Sequence, residues 1–188
     1  VATTTDAPEE RAPAADSSRS RRQLIEWTVV IVAAFLSAMV LRAVVLQAFS
    51  IPSVSMENTL LVGDRVLVNK LNKSAHRGDV VVFKRPPGEE AAAIKDLIKR
   101  VIGVPGDTIS ARDGKLLVNG KAIAEPYLKP GVVTLMDTTV QVHAGELFVM
   151  GDNRTQSRDS RFFGPIRKSS IIGHAFVRVW PPGRIGGL

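Results

Sequence analysis

The chain has 188 residues, 45% of them hydrophobic, and carries 25 Lys and Arg against 18 Asp and Glu, a formal charge of +7. That length allows one domain plus an appendage. The absence of cysteine excludes disulfides, a thiol nucleophile and thiolate-bound metal, and His76, His143 and His174 lack metal-ligand spacing and read as surface or turn residues, so neither a metal nor a cofactor is expected.

Residues 1–22 are rich in Ala, Thr, Pro, Ser and charge. Such a segment buries too little surface to offset its ordering entropy and reads as disordered. It ends in Arg19-Ser20-Arg21-Arg22, before an apolar stretch from Leu24 to Phe49. The uninterrupted part, Trp27 to Leu41, falls short of the roughly 20 residues of a membrane span. Extension from Leu24 through Val45 reaches that length if Glu26 and Arg42 snorkel at the two interfaces. A core helix would not be apolar all round, and a cleaved leader would have a shorter core and a small-residue cleavage site. A retained signal-anchor over residues 23–48 is therefore expected. The preceding arginines keep the N-terminus cytoplasmic and put residues 49–188 on the far side of a single-pass cell-membrane protein.

The basic excess lies wholly beyond the anchor: residues 1–49 hold five basic and five acidic side chains, residues 50–188 twenty and thirteen. This charge suits anionic lipid headgroups, nucleic acid or a plainly solvated surface. Nucleic acid is not expected, because aromatics are only 5% of the chain and are not interleaved with the basic residues.

Past the anchor the pattern turns to period two and β-branched residues. Strands are expected at Arg65 to Val68, Asp79 to Phe83, Ile98 to Val104, Lys115 to Val118, Val132 to Leu135, Leu147 to Met150 and His174 to Trp180. Turn signals separate them, and Asn119-Gly120 predicts a type I′ hairpin. No long amphipathic helix is visible. The fold class is all-β: a mostly antiparallel, barrel-like domain behind an N-terminal transmembrane helix.

Four runs carry candidate chemistry: Ile51-Pro52-Ser53-Val54-Ser55-Met56, Gly63-Asp64-Arg65-Val66-Leu67-Val68, Lys99-Arg100-Val101-Ile102-Gly103-Val104-Pro105-Gly106-Asp107, and Gly151-Asp152-Asn153-Arg154-Thr155-Gln156-Ser157-Arg158-Asp159-Ser160-Arg161. Singly each is weak. A Ser-x-Ser pair usually makes a turn, and a lysine in a strand usually points outward.

Together, in this order, the runs resemble type I signal peptidase, the bacterial Ser/Lys enzyme. The resemblance implies a serine endopeptidase that cuts signal peptides from exported preproteins after an Ala-x-Ala-type site, at the membrane and near the export translocon. It implies Ser55 as nucleophile and neutral Lys99 as general base, with Ser157 orienting the amine by a hydrogen bond. The Ser53 hydroxyl and the Ser55 N–H would form the oxyanion hole. Asp152, Asn153, Arg154, Asp159 and Arg161 would brace the site, with Asp159 and Arg161 paired. Ile51, Pro52, Met56, Asp96 and Ile98 would meet the substrate, some of them lining small pockets. The chemistry is coherent, since burial among apolar neighbours disfavours the ammonium and a lysine base must be neutral. Arg100 is expected on the opposite face of the strand from Lys99. Asn58 stands where the family often has proline, which is expected to loosen the turn.

Two rivals share features. A self-cleaving repressor has the same Ser/Lys pair but needs a DNA-binding helical unit. A catalytically silent, lipid- or nucleic-acid-binding membrane protein would not need both Ser55 and Lys99.

Overall fold

A helix and an antiparallel β-unit make up the described part of the chain, residues 17–88 and 94–188 of a computed structural model. The expected disorder of residues 1–16 lies outside the described residues. Helix α1 (Ser17–Val45) starts earlier than expected, because nothing after Pro13 breaks the backbone and arginines are good helix formers. Its 29 residues extend about 43 Å at about 1.5 Å each. Within it, Arg21–Val40 has a mean hydropathy of 1.9 and is not buried by the protein, so the helix is long and apolar enough to cross a membrane.

The helix also stops short of residue 48. Leu46–Ser50 forms strand β1, because its backbone pairs with strand β2 (Arg65–Asn69) from Leu46↔Asn69 to Ser50↔Arg65. Hydropathy alone does not separate an apolar edge strand from the end of an apolar helix.

Among the described residues the remaining strands are β3 (Val80–Lys84), β4 (Asp96–Gly103), β5 (Thr108–Arg112), β6 (Lys115–Val118), β7 (Lys121–Ala122), β8 (Val140–Gln141), β9 (Glu146–Met150), β10 (Ile166–Arg167), β11 (Ile171–Trp180) and β12 (Gly186–Gly187). One sheet runs β1-β2-β11-β3-β4-β9-β10, with β12 on β11. The other runs β7-β6-β5-β8. All the pairings are antiparallel, and the larger sheet curls into a half-barrel.

Strand β3 shows why the run of valines is continuous. Val80 and Val82 enter one core with Ile51, Met56, Leu60 and Ile98, while Val81 and Phe83 enter a second with Val101, Leu147 and Val149. A strand covered on both faces needs no polar alternation. Each fully buried side chain of this size contributes about 1.5–3 kcal/mol. A third core, around Ile102, Ile109, Leu116 and Phe148, joins the small sheet to β4 and β9.

The β6–β7 hairpin has the expected turn, with positive φ at both Asn119 (53°) and Gly120 (76°). The expected strand at Val132 to Leu135 is absent. Its alternation has the opposite phase: Val133 and Leu135 are exposed, and Thr134 is buried to meet Arg154.

Candidate active site

The Pro52-Ser53 segment leads from β1 into a single 3₁₀ turn, Val54–Met56, which carries Ser55. Met56 anchors the turn in the first core with no exposed surface. After it, Glu57 (φ −57°, ψ 142°) and Asn58 (φ 81°) adopt type II turn geometry. Asparagine tolerates the positive φ and proline cannot adopt it, so the expected loosening is replaced by a differently built turn.

Lys99 comes from the middle of β4, paired with β3 at Val81, and only 3% of it is exposed. Its Nζ lies 2.6 Å from Ser55 Oγ and donates to the Ile98 carbonyl at 2.9 Å. Burial pushes the amine from its ordinary 10.5 down to about 8. The Asp159 and Asp152 carboxylates oppose that shift, and the Arg85 guanidinium adds to it. Ser53 Oγ is 3.3 Å from Ser55 Oγ.

Arg100, next along the strand, does not face the amine. Its guanidinium takes the Asp152 carboxylate at 2.9 and 2.7 Å, the Gly78 carbonyl at 2.8 Å and the Thr59 hydroxyl at 3.1 Å, and it lies 4.1 Å over the Tyr127 ring. The loop after β9 holds the serine turn from the other side. The Asn153 N–H donates to the Ser55 carbonyl at 3.1 Å, and its side-chain amide donates to the Val54 carbonyl at 3.2 Å. Asp159 accepts from the Gly151 N–H at 2.9 Å and pairs with Arg161, whose guanidinium also reaches the Arg154 carbonyl at 2.7 Å. Arg154 is buried, donating to Glu125, Thr134 and the Gly151 carbonyl.

Ser157 departs from expectation. Its Oγ is buried without a hydrogen bond, and the Lys99 amine bonds Ser55 and Ile98 instead. Ser157 packs on Gly151, where an added Cβ would lie 2.2 Å from Ser157 Oγ and 2.4 Å from the Ser55 carbonyl oxygen. The loop is thus pressed against the serine turn at a point only glycine fits.

Two clefts of about 210 Å³ each adjoin the pair. One contains Ser53, Ser55 and Lys99 with Arg85, Gln156 and Arg158; the other contains Phe49, Ser50, Ile51 and Val82. Pro52, Ile94, Asp96, Leu97 and Ile98 border both. Met56, expected to line a pocket, borders neither because it is packed into the core.

Sequence reasoning missed Thr59, Arg85, Glu125, Tyr127 and Thr134, which are isolated polar residues with no local pattern. It also misjudged His174, which lies largely buried on β11 with Nδ1 3.5 Å from Asp79.

A serine hydroxyl beside a buried lysine amine on an antiparallel scaffold fits the class that the matches below show, a serine-type hydrolase. Residues 24–180 match the family described as signal peptidase, peptidase S26. Signal peptidase I V of Bacillus subtilis (strain 168) is 41% identical over 163 residues, covering 78% of this chain and 94% of that protein. Signal peptidase I of Leptolyngbya laminosa is 36% identical over 182 residues, covering 94% and 89%. A crystal structure of a signal peptidase I from Enterococcus faecalis V583 is 31% identical and covers 54% of this chain and 96% of that one, with a TM-score of 0.46. The chain belongs to the signal peptidase family, peptidase S26.

Proposed function

We propose that this chain is a membrane-anchored endopeptidase that removes signal peptides from exported preproteins by cutting after an Ala-x-Ala-type site. The carrying observation is the 2.6 Å approach of a buried lysine amine to Ser55 Oγ. With its pKa near 8, about one lysine in ten is neutral at pH 7, against fewer than about one in a thousand at the ordinary value.

The neutral Lys99 amine takes the Ser55 proton as Oγ attacks the carbonyl carbon preceding the cut. The Ser53 hydroxyl and the Ser55 N–H donate to the resulting oxyanion. Collapse breaks the C–N bond, and the Lys99 ammonium returns the proton to the departing amine. A water, deprotonated by Lys99, then releases the signal peptide from its ester to Ser55. Asp152, Asn153, Arg154, Asp159 and Arg161 hold the turn and the amine in register, and Ser157 braces them by packing.

The substrate runs extended past Ile51, Pro52, Asp96 and Ile98, with small side chains entering the two clefts. Residues 1–22 are cytoplasmic, the anchor runs from residue 23 to the end of the helix at Val45, and the domain that begins with β1 at Leu46 works outside the cytoplasm. Confinement to the lipid surface near the translocon raises the effective concentration of emerging signal peptides. Detergent-solubilised protein is expected to trim a preprotein after Ala-x-Ala and to lose this activity in Ser55→Ala. Unchanged cleavage by that variant would refute the reading.

A further inference from the structure

Arg85 lies just past the end of β3, beyond the Lys84↔Asp96 pair that closes its ladder with β4. Its backbone N–H donates to the Lys95 carbonyl at 2.9 Å, and its side-chain Nε donates to the Ile94 carbonyl at 2.9 Å. These two bonds fix the start and the end of the side chain, and the residue lines the same cleft of about 210 Å³ as Ser55 and Lys99. Among the described residues, no carboxylate is within ion-pair distance of its guanidinium. Elsewhere in the fold, Arg77, Arg100, Arg154 and Arg161 each hold an Asp or Glu.

We propose that Arg85 is a specificity-determining residue whose guanidinium recognises a carboxylate side chain on the substrate residue next to the small residue that precedes the cut. The inference rests on the proposed peptidase function and adds a substrate class to it. A guanidinium presents a planar set of donors that matches a carboxylate, and fixing it beforehand lowers the entropy lost on binding. Asp96, on the border of the same cleft, makes no ion pair with Arg85. The Arg85 charge acts on the Lys99 amine as well, which puts it in electrostatic reach of the reacting atoms.

The test uses the full-length protein in detergent micelles and internally quenched peptides with an Ala-x-Ala core. Asp or Asn is placed either at the middle position of that core or at the first position after the cut. At one of the two positions, kcat/KM is expected to favour Asp over Asn by about 3–10-fold, as for a partly exposed ion pair. The ratio should fall to about one in Arg85→Gln, shrink but stay above one in Arg85→Lys, and shrink in the wild type at ~0.5 M salt. A wild-type ratio of one at both positions would overturn the proposal, as would a ratio unchanged in Arg85→Gln. Should that variant fail to fold, a wild-type ratio insensitive to salt would overturn it. Failure of the wild type to cut any peptide would remove the proposed function and this inference with it.

Discussion

The guanidinium of Arg100 grips the carboxylate of Asp152 through two hydrogen bonds, 2.9 and 2.7 Å long, with both side chains almost wholly buried. The pair joins β4, one residue from Lys99, to the loop that holds the Ser55 turn. Removing one partner leaves the other charged and dry, which costs about 3–5 kcal/mol. Asp152→Ala is therefore expected to lose that much stability in denaturant titrations of the micellar protein. The Arg100→Met/Asp152→Leu double variant is expected to recover most of it. Equal losses in the single and double variants would show that the two residues act separately.

The Lys99 amine destabilises the fold that contains it. Its folded pKa is about 8 and its ordinary value 10.5, so between these pH values the unfolded chain binds more protons and stability rises with pH. Below about 8 both states are charged, and the full cost of about 3 kcal/mol applies. Lys99→Met is expected to raise stability by about 1–3 kcal/mol at pH 7, net of the lost hydrogen bond. Thermal unfolding checks this, and the gain should shrink as pH rises from about 8 to 10.5.

Gly151 has room for no side chain. Its Cβ would strike both the Ser157 hydroxyl and the Ser55 carbonyl. Gly151→Ala is expected to lower kcat by about 100-fold, the scale of a misplacement near 1 Å. Adding Ser157→Gly should not restore it, because the Ser55 backbone stays in the way. Recovery in the double variant would place the whole clash on the hydroxyl.

Asn58 reverses a family-based expectation. The resemblance put proline at this position, yet here φ is 81°. Asn58→Pro is expected to lower stability by about 1–3 kcal/mol and Asn58→Gly to leave it within about 0.5 kcal/mol, as read by thermal unfolding. A more stable proline variant would contradict the turn geometry.

What was legible in the sequence was local. The valines of β3 and the Asn119-Gly120 turn declare themselves within a few residues, and Lys99 sits among apolar neighbours that account for its burial. Features set by distant partners were not legible. β1 exists because β2 lies beside it, some twenty residues on. Thr134 faces inward because Arg154 needs an acceptor, so the alternation from Val132 to Leu135 misleads. Glu125 looks like any loop acid until Arg154 and Tyr127 meet it. The hydrogen bond expected of Ser157 rests on the resemblance alone, and its side chain, packed against Gly151, does not make it.

The most direct measurement is an NMR titration of the lysine side-chain amines in the full-length protein, with the Lys99 resonance assigned by its loss in Lys99→Arg. The Lys99 amine is expected to titrate near pH 8, well below the ordinary 10.5 of a lysine. A Lys99 amine that titrates above pH 10 would contradict its burial as a neutral base.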